Sequence, residues 1–216
     1  MTEAVTKALL AYALGNLMGG HLVGWLRGGV DLRTVGSGNV GATNALRTQG
    51  TRFALLVLLI DVGKGVLGAL AVPALPLSFG PSALSRETMG YVCGAAVTLG
   101  HCYPAAYGFR GGKGVATLAG VFGALLPLGM PLILSGFVLV VLLTGYVSLA
   151  TITAALLACL HVTCFDARGG ASALALFTAF MTALVLFKHR ENIVRLARGE
   201  ENRFEKLRVL GRWLGR

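Results

Sequence analysis

The sequence predicts an all-α, polytopic integral membrane protein: seven transmembrane helices, the N-terminus outside and the C-terminus in the cytoplasm. Three observations carry this expectation. Of 216 residues, 55% are hydrophobic and 13% charged, with a mean hydropathy of +0.74, which is too little polar surface for a soluble globule of that length. The apolar residues are gathered into runs long enough to cross a bilayer. The basic residues lie between those runs and favour one side of them.

Taken in order, the first run extends from Ala8 to Leu26, longer than the apolar core of a secretory signal and without a clear small-residue cleavage site, so it reads as a first span. The second and third runs are Phe53 to Leu77 and Met89 to Phe109, the latter ended early by His101 and Pro104. From Gly114 to Phe165 there is no Asp, Glu, Lys or Arg. As one helix that stretch would measure roughly 78 Å at 1.5 Å per residue, too long for one or two crossings. Turn signals at Pro127-Leu-Gly-Met-Pro131 and from Gly145 to Ser148 divide it into three, and Ala171 to Phe187 makes the last span. Seven crossings put Arg27, Arg33, Arg47, Arg52, Arg110, Lys113 and the tail from Lys188 on one side, leaving Lys7, Arg86 and Arg168 on the other. Six crossings would spoil that asymmetry.

No repeat or linker separates a second domain, so residues 1–216 read as one membrane domain. The stretch 191–216 is an interfacial basic tail, either an amphipathic helix on the inner leaflet or a solvated tail with no ordered role. The net charge of +10 is explained by membrane orientation rather than by nucleic acid, because the cations do not recur along a folded polar face. Cys93, Cys102, Cys159 and Cys164 lack CxxC spacing and paired His ligands, so they are expected to be buried thiols, with no metal site and no disulfide framework.

Three polar islands interrupt the apolar chain. The first is Val35 to Arg47. Gly36, Gly38 and Gly41 let the backbone aim N–H groups at one point, Ser37, Asn39, Thr43 and Asn44 add side-chain groups, and Arg47 adds a fixed charge. Such a loop suits a phosphate; the plainer alternative is a tight inter-helix turn. Gly36 to Gly41 is also formally a GxGxxG with Asp61 twenty residues beyond it, but Asp61 lies in a bilayer-length apolar stretch, not at the end of a strand, which argues against a dinucleotide fold. The second island, Gly100-His-Cys-Tyr-Pro104 with Phe109-Arg-Gly-Gly-Lys-Gly-Val-Ala-Thr117, is not a Walker A loop, since Tyr107 and Gly114 occupy positions that need Gly and Ser or Thr. Gly111 and Gly112 are expected to expose backbone N–H groups, with Lys113 beside the positive end of the next helix; the alternative is a loop obeying the positive-inside rule. Asp61 and Lys64, one turn apart in the second span, form an ion pair that either lines a site or is purely structural.

The third island is Lys188-His-Arg-Glu-Asn192 with Arg195 and Gly199. His189 supplies a side chain that changes charge near neutral pH, and Asn192 follows it at i+3 on one helical face; interfacial snorkelling accounts equally for Lys188 and Arg190. His161 to Asp166 spells H-x4-D, a pattern seen in acyl-CoA-dependent glycerolipid acyltransferases. It falls on the predicted outer side, away from all three islands, and reads as chance.

Together, Ser37-Gly-Asn-Val-Gly-Ala-Thr-Asn44, the Gly100-His to Gly-Gly-Lys-Gly-Val-Ala-Thr117 stretch and Lys188-His-Arg-Glu-Asn-Ile193 closely resemble the bacterial membrane acyl-phosphate:glycerol-3-phosphate acyltransferase family, PlsY. Asp61-x-x-Lys-Gly65 and Tyr146-Val-Ser148 support the match, which runs from the first span to about Gly199. The resemblance implies a seven-helix inner-membrane acyltransferase, with its site facing the cytoplasm. It moves a fatty acyl group from acyl phosphate to the first hydroxyl of glycerol 3-phosphate, giving lysophosphatidic acid and phosphate, with no cofactor, metal, acyl-CoA or carrier protein. It implies catalytic roles for His189, Ser37 and Lys113. Substrate binding falls to Arg47, Asn192 and Ser148 and to the loop residues Gly38, Asn39, Gly41, Thr43, Asn44, Gly111, Gly112 and Gly114. One departure is Gly15-Asn-Leu-Met-Gly-Gly20, where the family tends to show a Gly-Ser-(Ile/Leu)-Pro-like stretch; this puts the local shape of the first span in question. The rival class is a membrane transporter or channel for an organic phosphate, whose permeation path also needs glycines and charges at helix ends.

Overall fold

The computed structural model describes residues 2–77, 84–166 and 171–214, and within them all regular structure is helical. The helices are α1 (Thr2–Gly15), α2 (Gly19–Leu26), α3 (Ala42–Gln49), α4 (Thr51–Ala74, with a π-helical turn at Leu67–Ala71), α5 (Arg86–Cys102), α6 (Val115–Leu125), α7 (Met130–Thr144), α8 (Val147–Phe165), α9 (Ala173–Lys188), α10 (Arg190–Arg198) and α11 (Val209–Leu214). α4 and α8 are each long and apolar enough to cross a membrane, as are the bent pairs α1 with α2 and α9 with α10 if each pair is one span. α6 and α7 are shorter apolar helices.

The punctuation of the uncharged stretch matches the expected turns. α6 stops at Leu125 ahead of Pro127, and α7 starts at Met130 with Pro131 in its first turn. α7 ends on Gly145 in the left-handed region (φ 76°), where a glycine accepts what an L side chain resists. The first run departs from expectation. It is not one helix from Ala8 to Leu26 but two, beginning at Thr2 and bent by 42° across residues 16–18. The last run also turns by 56° at His189 into α10. Arg168, placed on the outer side by sequence, lies outside the described residues.

The chain forms two compact units, Met1–Leu126 and Pro127–Arg216. In the first, α1 packs on α5 and α4 on α6. The α1–α5 crossing brings backbones together at glycines: a Cβ on Gly15 would sit 2.3 Å from the Val97 carbonyl oxygen, and one on Gly100 would sit 2.2 Å from that of Tyr12. Small residues at crossings are how membrane helices gain close van der Waals contact where lipid offers no hydrophobic drive. In the second unit α8 packs between α7 and α9, with Thr182 Oγ1 donating across to the Ala155 carbonyl at 3.1 Å.

The four cysteines are free thiols. Cys93 and Cys102 are buried as expected, but Cys159 is half-buried and Cys164 is exposed near the end of α8.

Candidate functional site

The first island forms the link between α2 and α3, seated on a buried apolar cluster of Val23, Leu32, Ala45, Phe53, Ala54 and Val57. Before it, Asp31 receives the Arg33 side chain (Nε 3.0 Å, Nη2 2.8 Å) and the Arg33 backbone N–H (2.9 Å). These bonds lower the Asp31 carboxyl to about 2. The loop itself is built on Asn44, which is buried. Its Oδ1 accepts from the Ser37 backbone N–H (3.0 Å), and its Nδ2 donates to the carbonyls of Leu32, Val35 and Asn39 (3.1, 2.9 and 2.9 Å).

The Asn44 amide is thus engaged at both ends by the loop it shapes. Asn39 turns inward likewise, its Oδ1 accepting from the Gly41 N–H at 3.0 Å. The expected convergence of backbone N–H groups is also reduced: those of Ser37, Gly38 and Gly41 are all satisfied within the loop. Ser37, Gly38, Thr43 and Arg47 are exposed, with Thr43 and Arg47 one helical turn apart on the same face of α3. Gly41, which opens that helix, provides no side-chain cap for its first amides.

The second island folds over the end of α5. Gly112 N–H donates to the His101 carbonyl (3.1 Å), so it is not the exposed donor expected from sequence. A Cβ on Gly112 would lie 2.3 Å from His101 Nε2, and one on Gly111 would lie 2.1 Å from the His101 carbonyl oxygen. The glycines are therefore required by the closeness of loop and helix. Gly114, with φ 80°, caps α6, and Lys113 stands just before it, half-buried. α2 touches both islands: Gly20 backs onto the Val40 carbonyl, 2.1 Å from a notional Cβ, and the next residue, His21, stacks on Tyr107 at 4.4 Å between ring centroids.

Beneath these loops Asp61, Lys64 and His101 are all buried. Lys64 Nζ donates to the carbonyls of Gly15 (2.9 Å) and Leu17 (2.7 Å), lies 3.0 Å from Asp61 Oδ1 and 2.8 Å from His101 Nδ1. Asp61 Oδ1 accepts from the Gly19 N–H at 3.1 Å. The pair thus answers the groups freed where the first span breaks, the ammonium on the carbonyls ending α1 and the carboxylate on the amide opening α2. Of the two readings left by sequence, this geometry favours the structural one. His101, placed by sequence at a helix end and in the second island without a role of its own, is its third member.

In the second unit, Ser148 lies in the first turn of α8, where its buried Oγ has no hydrogen-bond partner among the described residues. His189 sits at the bend between α9 and α10, 3% exposed, its Nδ1 2.8 Å from the Val185 carbonyl. A carbonyl only accepts, so Nδ1 carries a proton, and when the ring is neutral its lone pair lies on Nε2. Asn192 is buried in α10, with Nδ2 donating to Glu201 Oε1 at 2.8 Å. Glu201 Oε2 accepts from Arg195 Nε at 2.8 Å. Sequence reasoning missed Glu201, an acid in a basic tail with nothing local to mark it. His161 and Asp166 do not form a dyad: the His161 ring tilts against Phe165, and Asp166 accepts from Ser172 Oγ.

Membrane-length helices interrupted by glycine-turned, cation-bearing loops define a helical integral membrane protein with polar chemistry at its helix ends. A family model described as glycerol-3-phosphate acyltransferase matches residues 5–199. The chain belongs to the glycerol-3-phosphate acyltransferase family, as its motifs imply, and is an integral membrane acyltransferase of the PlsY type. It is similar to the glycerol-3-phosphate acyltransferase of Geotalea daltonii, 40% identical over 95% of this chain and 100% of that one. It is 43% identical to the counterpart in Shewanella woodyi over 92% of each chain. Among solved structures it is similar to PlsY, an integral membrane glycerol 3-phosphate acyltransferase, in its glycerol 3-phosphate form: 40% identity, TM-score 0.81, covering 96% of this chain and 98% of that one. A lysophosphatidic acid form matches with 38% identity and the same TM-score over the same shares.

Proposed function

We propose that this protein transfers an acyl group from acyl phosphate to glycerol 3-phosphate, giving lysophosphatidic acid and inorganic phosphate for phospholipid synthesis. The observation that carries the reading is the match of residues 5–199 to glycerol-3-phosphate acyltransferases; within it His189, whose Nδ1 donates to the Val185 carbonyl, is the side chain we assign to the proton of the substrate hydroxyl. The hydroxyl oxygen attacks the acyl carbonyl carbon, the bond from that carbon to the phosphate oxygen breaks, and phosphate leaves with the bonding electrons. The released proton goes to His189 or to the bound phosphate. Acyl phosphate is already activated, so positioning and charge stabilisation suffice, without cofactor or covalent intermediate.

Lys113 and Ser37 hold the acyl phosphate and the developing negative charge, and Ser148 adds its buried, unpartnered hydroxyl. Arg47, Thr43 and Asn192 orient glycerol 3-phosphate, while Gly38, Gly41, Gly111, Gly112 and Gly114, with Asn39 and Asn44, shape the loops that carry these groups. Residues 1–216 act as a single membrane domain crossing the bacterial inner membrane seven times, N-terminus outside, with the basic tail and the polar islands at the cytoplasmic face. The charge asymmetry of the loops supports this orientation.

Purified protein in liposomes, given labelled glycerol 3-phosphate and palmitoyl phosphate, is expected to form labelled lysophosphatidic acid. Equal or better rates with palmitoyl-CoA, or loss of activity in a folded His161→Ala variant, would overturn the choice of donor. Uptake of label without acylation would favour the transporter class instead.

A further inference from the structure

The family match ends at residue 199, yet the residues just after it make the contacts that fix part of the third island. Glu201, whose side chain is 6% exposed, holds Asn192 Nδ2 on one oxygen and Arg195 Nε on the other, each at 2.8 Å. Two residues on, Arg203 Nε donates to the Thr144 carbonyl (2.7 Å), and its guanidinium lies 5.1 Å from the centre of the Tyr146 ring. The Phe204 N–H donates to the Gly145 carbonyl (2.9 Å). Further along, Gly211 backs onto the Leu143 carbonyl, 2.0 Å from a notional Cβ.

These contacts follow from the end of α7. The carbonyls of Thr144 and Gly145 close a helix and have no donor within it, and the segment after residue 199 supplies one to each. A chain anchored on that turn then delivers Glu201 to α10. A carboxylate this enclosed is costly unless charged and polar donors meet both oxygens, and Arg195 and Asn192 do so. Because a carboxylate only accepts, it also fixes the amide of Asn192 with its NH2 group toward Glu201.

We propose that residues 201–211 form a strap in which Glu201 is a positioning residue for the acceptor site, acting through Asn192. The inference rests on the reading that Asn192 orients glycerol 3-phosphate. It assigns a role in substrate geometry to a segment beyond the residues that the family model matches, where the sequence offered either an amphipathic surface helix or an unordered tail.

The test uses full-length protein in proteoliposomes, with kcat and both KM values measured beside the thermal unfolding midpoint. Loss of a charge-assisted hydrogen bond in Glu201→Ala is expected to raise the KM for glycerol 3-phosphate about tenfold, with the KM for palmitoyl phosphate unchanged. Glu201→Gln keeps the side-chain length and one acceptor oxygen, and is expected to recover most of that loss, leaving KM raised about twofold to threefold. This isosteric variant answers the question even if Glu201→Ala does not fold. A Gln variant with wild-type KM, or a variant whose unfolding midpoint falls while both KM values stay put, overturns the inference. Asn192→Ala separates the two levels: a raised KM there with wild-type kinetics in Glu201→Ala refutes the strap alone. Wild-type kinetics in both refute the strap and the role of Asn192 together.

Discussion

Replacing Lys64 by Met tests whether the buried pair in α4 holds the first span or touches substrate. The ammonium lies on the Gly15 and Leu17 carbonyls and beside Asp61 Oδ1, with the Lys64 and Asp61 side chains 3% and 1% exposed. Methionine fills similar volume but removes these three interactions and the contact with His101 Nδ1. Breaking one side of a buried ion pair costs about 3–5 kcal/mol, and each carbonyl left without a donor adds about 1–3 kcal/mol. Even without full additivity, the loss is comparable to a total folding stability of about 5–15 kcal/mol. Asp61→Asn is milder, since an amide oxygen can still accept from Gly19 and Lys64. Detergent-purified variants, followed by thermal unfolding and by activity per folded molecule, should therefore rank wild type, Asp61→Asn and Lys64→Met in falling stability. The Met variant should be scarcely recoverable. A Lys64→Met protein that unfolds at the wild-type temperature yet is inactive would refute the reasoning and place Lys64 among the substrate contacts.

Four further outcomes are expected. Gly112→Ala should lower kcat/KM about tenfold or more, because its Cβ meets His101 Nε2, an overpacking worth about 1–3 kcal/mol; His101→Asn, smaller but still able to accept from Lys64, should restore part of it in the double variant. Lys113→Ala should weaken use of acyl phosphate and Arg47→Ala should raise the KM for glycerol 3-phosphate, each by roughly a hundredfold if one oriented donor contributes ~3 kcal/mol. If His189 is the base, the acidic limb of the pH–rate profile flattens in His189→Gln; low activity with an unchanged limb makes His189 an orienter, and near-wild-type activity removes it from the mechanism. Impermeant thiol reagents applied from outside intact cells should label Arg86→Cys but not Thr43→Cys, Lys113→Cys or Asn192→Cys, and labelling of the last would refute the seven-span topology.

What the sequence revealed and what it hid divide along local and distant causes. The stops around Pro127 to Pro131 and at Gly145 were legible because the residues that end those helices lie in the helices' own sequence. The bend at residues 16–18 was legible only as a departure from the family's pattern at Gly15 to Gly20, not as a bend. Asn16-Leu17-Met18 contains no proline, and the groups that stabilise the break, Asp61 and Lys64, are more than forty residues away, with His101 further still. The first loop shows the same division. Its residue types marked a polar, cation-bearing turn, but they could not say that Asn44 faces inward while Ser37 and Arg47 face out, because an amide serves equally as scaffold or as ligand. Glu201 was hidden for a related reason: one acid beside Glu200 in a basic tail reads as surface charge until the chain folds back on α10.

The helix interruptions after α1 and after α7 share one physical cause. In a bilayer a carbonyl or amide released from a helix has no water to turn to, so each break must be met by polar groups from elsewhere in the chain. At the first break Lys64 and Asp61 meet it. After α7, Arg203 and the Phe204 amide do so. At the α9–α10 bend the Val185 carbonyl keeps its own helix's donor, the His189 N–H, and the His189 ring adds a second. The obligation works in both directions. A carbonyl that needs a donor also fixes that donor, so the Val185 carbonyl sets the tautomer of His189, and the turn after α7 anchors the segment that carries Glu201. Residues that must be polar for folding are thereby held in one geometry at the places where the motifs lie. Removing such a break by a continuous helix would release its polar partners from the positions that make them useful.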